Sequence, residues 1–277
     1  MAGFLLIGGT IGGKTDEGSL TFARFGEWRS LKAINVSEEN DTFSSADGVL
    51  FSKDKTVLMT YPQGKKDTEY EIPNGVLSLG NDAFVFCTNL KSVKIIKSIT
   101  RIESGTFSEC TSLKNVYFDG VICEIGEYAF AGCTSLENIV IPSGVEKEEG
   151  DVFTNTKLGQ LSFECCSNLK KIILHSTVNE IAEDAFELCD NLIIYGDKGS
   201  KAEEYATDKG ITFRVYGDIN GDGICKSTDA MWLNNYLTDR REFNEEQQER
   251  ADLNCDGKIK DSTTDLLRLK WKIVGLN

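Results

Sequence analysis

Acidic and amide side chains alternate in one short segment of the sequence, DINGDGICKSTD (218–229). Its acidic and amide side chains fall at loop positions 1, 3, 5 and 12, which are Asp218, Asn220, Asp222 and Asp229. Calcium takes six to eight hard oxygen ligands, and this spacing directs alternate side chains at one centre. Gly223 at position 6 permits the sharp turn, and the carbonyl of Ile224 at position 7 adds a backbone ligand. The segment therefore predicts a calcium loop.

A second copy of this loop begins 34 residues later, as DLNCDGKIKDSTTD (252–265). Positions 1, 3, 5 and 7 are repeated as Asp252, Asn254, Asp256 and Lys258, the last through its carbonyl. Position 12 falls on Thr263, which is not a carboxylate. Asp265 directly precedes an apolar helix-like run, as Asp229 does, so we expect it to close a loop that is two residues longer. Asp261 is the rival closing ligand. The two loops predict two calcium ions.

Other reactive side chains give no catalytic constellation. His175 is the only histidine in the chain, which argues against zinc sites built on several histidines and against a second His-dependent site. We expect it to be an ordinary surface residue. The nine cysteines lack the paired Cys-x-x-Cys spacing of zinc sites, so we interpret the recurring ones as small core residues. No catalytic residue is predicted.

The composition argues against nucleic-acid binding and against a membrane-spanning segment. The net charge of −14 argues against nucleic acid, because phosphate binding needs a basic surface. No apolar run reaches 18 residues, so no transmembrane segment is expected. The start, residues 1–13, lacks a basic region and a cleavage site, so we do not interpret it as an export signal.

The elements that must position the loops follow a long repetitive region. The pattern Phe-x-x-Cys-x-x-Leu recurs five times, starting at Phe84, Phe107, Phe130, Phe163 and Phe186, with a degenerate copy at Phe25. The common spacing is 23 residues. Each Leu starts a short alternating run such as LKSVKI (90–95), which favours one strand per repeat. Because no single repeat can bury its own apolar face, neighbouring repeats must stack into a solenoid, with one internal column of Phe and another of Cys.

Three stretches depart from the period. Residues 41–72 predict a hairpin-like insertion, and residues 143–162 carry ten extra residues with an acidic run. Residues 196–216 predict a cap with a short helix near Lys201–Thr207, a stop at Gly210 and a last strand. Lysines occupy outward strand positions, and we expect them to be exposed: Lys32, Lys91, Lys94, Lys114, Lys170 and Lys171.

The repetitive region resembles the BspA-like leucine-rich repeat family of bacterial surface proteins. The resemblance rests on segments such as IGEYAFAGCTSLENIVIPSGV (125–145) and covers about residues 20 to 216. It implies a β-rich leucine-rich repeat solenoid. The family's role is binding and display rather than a defined catalytic chemistry. Its ligand is left open between a protein and a polysaccharide.

The remaining segment resembles a type I dockerin. Each loop runs into an apolar helix-like segment, AMWLNNYL (230–237) and LLRLKWKI (266–273), and a strand-like run stands where an entering helix would precede the first loop. The resemblance implies a small all-α calcium-binding domain that binds a cohesin of a cellulosome scaffold. It also implies that the residues at loop positions 10 and 11, Ser227 and Thr228, contact the cohesin. Their counterparts in the second loop are Thr263 and Thr264. Lys226 and Lys260 at position 9 and Cys255 at position 4 depart from the family pattern, so the cohesin group, and whether one or both faces bind, stay open.

We therefore expect two domains, a solenoid over 1–216 and a dockerin over 217–277, in a non-catalytic, extracellular, cellulosome-associated protein. The alternative is a dockerin-bearing enzyme acting in polysaccharide degradation. Against it, a paired-carboxylate site needs two acids held in a cleft, and the acids here fall on repeat surfaces and in the loops. A calcium sensor is disfavoured because entering helices are missing.

Overall fold

The computed structural model describes residues 3–7, 29–142, 155–260 and 264–274. The degenerate repeat at Phe25, the acidic run of 146–151, Asp261 and Thr263 lie outside the described residues. The strands are β1 (Gly3–Ile7), β2 (Leu31–Val36), β3 (Phe43–Ala46), β4 (Val49–Ser52), β5 (Val57–Thr60), β6 (Glu69–Glu71), β7 (Ser78–Leu79), β8 (Ser92–Ile95), β9 (Arg101–Ile102), β10 (Asn115–Phe118), β11 (Glu124–Ile125), β12 (Asn138–Ile141), β13 (Thr156–Leu158), β14 (Lys171–Leu174), β15 (Val178–Ile181), β16 (Ile193–Gly196) and β17 (Thr212–Val215). The helices are α1 (Lys201–Lys209), α2 (Ser227–Leu237), α3 (Glu245–Ala251) and α4 (Thr264–Ile273).

The repetitive region is a β-solenoid of about six turns with a period of about 23 residues, as the spacing predicts. The chain divides into two compact units: Met1–Leu136 with Lys157–Leu169 and Ala182–Asp190, and Glu137–Thr156 with Lys170–Ile181 and Asn191–Asn277. None of the helices in the described part of the chain is long and apolar enough to cross a membrane.

The core of the first unit is the predicted pair of columns. The Phe rings of successive turns stack with centroids 5.0–5.3 Å apart, from Phe84 through Phe107, Phe130 and Phe163 to Phe186. From the second copy onward, the thiol of each column Cys donates to the carbonyl of the Phe one turn back, as Cys133 does to Phe107 O at 3.1 Å, whereas Cys87 donates to Tyr61 O. These thiols are free cysteines, and they are small buried donors that fill the inner turn.

The sheet faces of the first unit are built from short parallel strands. β6, β8 and β10 pair in register, so that Tyr70, Val93 and Val116 form one row. β9 and β11 form a second parallel ladder, which continues to Leu158 of β13. The expectation of one strand per repeat is therefore incomplete, because a two-residue strand such as Glu124–Ile125 is too short to show an alternating pattern.

Strands within the segment 41–72 pair as an antiparallel hairpin. β3 pairs with β4, and β4 pairs with β5 across the polar turn. β5 then pairs in parallel with β7, which joins the insertion to the repeats.

The second unit contains the parallel sheet β12-β14-β16-β17. Within the segment 196–216, α1 begins after Ser200, whose hydroxyl accepts from Glu203 N, and ends at Gly210 in the left-handed region. A second hydrophobic core joins this sheet to the three C-terminal helices. Its buried residues include Ile173, Tyr195, Tyr216, Leu233, Phe243, Leu253 and Leu269.

Candidate metal centre

The first loop is organised around two buried carboxylates, Asp218 and Asp229. Asp229 Oδ1 accepts from the backbone N–H groups of Ile219 (2.9 Å) and Asn220 (3.1 Å), which ties the end of the loop to its beginning. Asp218 Oδ1 accepts from the N–H of Asp222 at 3.0 Å. These bonds direct both carboxylates into the loop.

The second loop repeats these bonds. Asp265 Oδ1 accepts from the N–H groups of Leu253 (2.9 Å) and Asn254 (3.2 Å), and Asp252 Oδ1 accepts from Asp256 N at 3.1 Å. Asp265 Oδ1 therefore accepts the same pair of backbone hydrogen bonds as Asp229 Oδ1, although Asp265 lies two positions later in its loop.

The middle positions of the loops also correspond. Asn220 donates to Asp222 Oδ2 at 3.2 Å, and Asn254 donates to Asp256 Oδ2 at 2.8 Å. The position-7 amides donate to the position-5 carboxylates, from Ile224 at 3.1 Å and from Lys258 at 2.7 Å. The loop positions named from the sequence are thus brought together in both copies.

One departure from the family pattern, Cys255, lies at a loop position with a left-handed backbone. Gly223 and Gly257 at position 6 have φ of 82° and 73°. Position 4 is also left-handed, with Gly221 at φ 78° and Cys255 at φ 58°. Cys255 therefore occupies a backbone conformation that favours glycine, at a cost of about 1 kcal/mol.

The residues of the second loop fit a cation. Carboxylate oxygens of Asp252, Asp256 and Asp265 lie within 4.8 Å of one another. Asp265 is fully buried, and its Oδ2 accepts no hydrogen bond from the part of the chain that the structure describes. Burial, followed by the charges of Asp252 and Asp256, raises the pKa of Asp265 to about 6. A buried carboxylate with an unused oxygen beside two further acids is a donor set suited to a hard divalent ion.

The first loop differs from the second at position 9. Lys226 Nζ contacts Asp222 Oδ2 at 2.7 Å, and this hydrogen bond lowers the pKa of Asp222. In the second loop, Lys260 instead pairs with Asp239 at 2.6 Å. Burial raises the pKa of Asp229, whose second oxygen accepts from Lys226 N at 2.9 Å.

The expected partner contacts lie at the starts of the two helices. Ser227 and Thr264 are exposed at the first turns of α2 and α4, whereas the hydroxyl oxygen of Thr228 is buried. Two exposed apolar side chains, Met231 and Leu267, follow at matching positions, two residues after Asp229 and Asp265.

The last repeat strands hold the base of the second loop. Lys171 Nζ donates to the carbonyls of Glu249 (2.7 Å) and Asp252 (2.6 Å). Arg214 Nη1 contacts Glu249 Oε2 at 3.0 Å, and Tyr195 OH donates to Glu249 Oε1 at 2.8 Å. α3 is therefore fastened to the sheet β12-β14-β16-β17 by charged and polar contacts.

Two expectations about surface residues are wrong. Lys171 is 3% exposed, because its strand is covered on both faces. His175 is 5% exposed and packs edge-on against Tyr216, with ring centroids 4.7 Å apart. The sequence contained a signal that this strand face is covered. The runs LKKIIL and LIIY have the apolar residues Ile173 and Tyr195 at outward positions, whereas an earlier repeat has Lys94 at that position.

The comparisons with known proteins agree with this geometry. Residues 63–164 and 156–196 match the BspA type leucine rich repeat region in 6 copies, and residues 216–274 match the dockerin type I domain. The chain contains a BspA-type leucine-rich repeat region and a type I dockerin domain. Type I dockerin domains are calcium-binding modules. Both matched modules are non-catalytic.

Solved structures resemble the repeat region. A leucine rich cell surface protein from Faecalibacterium prausnitzii A2-165 is 32% identical with a TM-score of 0.56, over 66% of this chain and 46% of that protein. The pneumococcal vaccine antigen PcpA is 23% identical with a TM-score of 0.53, over 67% of this chain and 50% of its own, and shows the fold alone. The chain thus spans about half the length of these two proteins. No curated protein matches the chain.

Proposed function

We propose that the C-terminal dockerin, residues 217–277, binds two calcium ions and thereby a cohesin of an extracellular scaffold. The first ion is held by Asp218, Asn220, Asp222, the Ile224 carbonyl and Asp229. The second is held by Asp252, Asn254, Asp256, the Lys258 carbonyl and Asp265. Calcium supplies positive charge that neutralises the carboxylates gathered in each loop.

The observation that carries this proposal is the equivalence of the two closing carboxylates. Asp229 and Asp265 accept the same pair of backbone N–H groups from the starts of their loops. This supports Asp265, rather than Asp261, as the closing ligand, because it stands in the same relation to the position-1 aspartate.

The cohesin contacts are proposed at the starts of α2 and α4, through Ser227, Thr228, Thr263 and Thr264. The exposed Met231 and Leu267 extend these two faces along their helices. A face with exposed apolar and hydroxyl side chains is suited to a protein partner, since buried apolar contacts give most of the affinity in such interfaces.

The repeat domain, residues 1–216, is proposed to bind a protein or polysaccharide at the cell surface without catalysing a reaction. The dockerin then anchors this non-catalytic binding domain to a cellulosome-like scaffold outside the cell. Three of the six outward lysines contribute little free positive charge to such a surface: Lys94 pairs with Glu71 and Asp119, Lys170 pairs with Glu137, and Lys171 is buried. The other three, Lys32, Lys91 and Lys114, are exposed.

The test is cohesin binding by the full chain with calcium and with excess chelator. Tight binding that is lost on chelation and restored by calcium is the expected result. Asp265→Ala is expected to abolish calcium binding at the second loop, whereas Asp261→Ala, its matched control, is expected to retain it. Full cohesin affinity in excess chelator would show that calcium is not required.

A further inference from the structure

The second calcium loop begins with a peptide group that is held from both sides. The carbonyl of Asp252 accepts from Lys171 Nζ at 2.6 Å, and the N–H of the same peptide, from Leu253, donates to Asp265 Oδ1 at 2.9 Å. The next peptide is held in the same way. Its carbonyl, Leu253 O, accepts from Tyr216 OH at 3.2 Å, and its Asn254 N–H donates to Asp265 Oδ1 at 3.2 Å.

The first calcium loop has an equivalent arrangement at its own first peptide group. There the carbonyl of Asp218 accepts from Arg250 Nη1 at 3.0 Å, and the following N–H, from Ile219, donates to Asp229 Oδ1. Arg250 stands two residues before Asp252, and Tyr216 stands two residues before Asp218. If the two loops were fully equivalent, Tyr216 would therefore donate a hydrogen bond to the Asp252 carbonyl.

Tyr216 contacts Leu253 O instead, and a cation from outside the duplicated segment bonds to the Asp252 carbonyl. That cation, Lys171, lies on β14 of the repeat region and is 3% exposed. Its ammonium also lies 4.8 Å from the centre of the Tyr195 ring. A buried ammonium with these partners has little freedom to move, so it fixes the carbonyls that it bonds to.

We propose that Lys171, a residue of the repeat region, is a positioning residue of the second calcium loop. It does for Asp252 what Arg250 does for Asp218: it bonds the position-1 carbonyl and so aligns the peptide whose N–H orients the closing carboxylate. The inference rests on the proposed calcium binding by this loop. By linkage, docking of the helical module on the last repeat strands then raises the calcium affinity of the second loop and leaves the first loop to Arg250.

The experiment is a calcium titration of the full chain followed by the backbone amide resonances of Gly223 and Gly257, which report one loop each. Lys171→Met is expected to weaken calcium binding at Gly257 by about tenfold, because two partly buried carbonyls lose their donor. The midpoint at Gly223 is expected to stay unchanged. Lys171→Arg should restore most of the affinity, and Lys170→Met, the exposed neighbour, should behave as the wild type.

Two further variants separate positioning from a general loss of structure. Tyr216→Phe removes only the second donor and is expected to weaken the Gly257 response by a few fold. Arg250→Met is expected to weaken the Gly223 response. An unchanged or tighter midpoint at Gly257 in Lys171→Met would overturn the inference while leaving the proposed function intact. A wild-type chain whose two glycine amides do not respond to calcium would remove the proposed function and this inference together.

Discussion

Two neighbouring lysines show how strongly position decides the role of a side chain. Lys170 is exposed and reaches Glu137 at 3.5 Å, an arrangement that contributes little to stability in water. Lys171 projects from the other side of the strand and is buried on the carbonyls of Glu249 and Asp252. Removing a buried charge-assisted donor leaves its acceptors unpaired, so the second lysine matters far more than the first.

The same junction buries His175, and its titration is predicted to destabilise the second unit in acid. Burial lowers the pKa of His175 to about 4; Lys272 and Arg268 act in the same direction, and Asp197 opposes them. An unfolded histidine has a pKa of about 6.5, so between about pH 6.5 and 4 the unfolded chain binds the extra proton. Stability is therefore full above about pH 6.5 and falls by about 1.4 kcal/mol per pH unit below it.

The measurement compares wild type with His175→Gln in urea unfolding at pH 6.5 and pH 5. Wild type should lose about 2 kcal/mol more than the variant over this interval. Because His175 is the only histidine, its imidazole signals in NMR give the titration midpoint directly. A midpoint near 6.5 in the folded protein would contradict this account of its burial.

At the scale of the repeat, the sequence predicts the core more completely than the backbone. The Phe and Cys columns follow from spacing alone, because stacked turns must place equivalent residues above one another. The second strand of each repeat and the left-handed positions could not be predicted in this way. Glu109, Cys165 and Leu188 have φ of 56–60°, and their equivalent Gly132 has φ 72°. One glycine among several residue types is too weak a signal for that conformation.

The Phe column makes a direct prediction about stability. Phe130 is fully buried and stacks on Phe107 at 5.3 Å and on Phe163 at 5.1 Å. Phe130→Ala is expected to lower the free energy of unfolding by about 3–5 kcal/mol, since it opens a cavity and removes both ring contacts. Tyr117→Ala, at a side chain that is 54% exposed, is the control and should change it by less than about 0.5 kcal/mol. Thermal and urea unfolding give both values; equal losses would show that the column does not carry the core.

For the whole molecule, the loop carboxylates could be predicted from their spacing, whereas the groups that hold the loops could not. Asp218 and Asp252 each begin a local sequence pattern that identifies them as loop residues. Lys171 lies 81 residues before Asp252, so only the folded chain brings the two together. The consequence is that the dockerin segment shares a hydrophobic core with the last repeat strands, through Ile173 and Tyr195 on one side and Leu253 and Leu269 on the other.

This shared core sets the expected response to calcium removal. Without the ion, the ionised carboxylates of each loop repel one another, and a segment of this size has a marginal core of its own. Chelation is therefore expected to unfold 217–277 and, in addition, to expose Ile173 and Tyr195 and loosen β16 and β17. Hydrogen exchange of the full chain should show lost protection in both regions, while amides around Phe107 and Phe130 stay protected. Readdition of excess calcium is the control and should restore the pattern. Protection lost in 217–277 with β16 and β17 unchanged would mean that the repeat strands are stable without the helical module, and the coupling between the two would be absent.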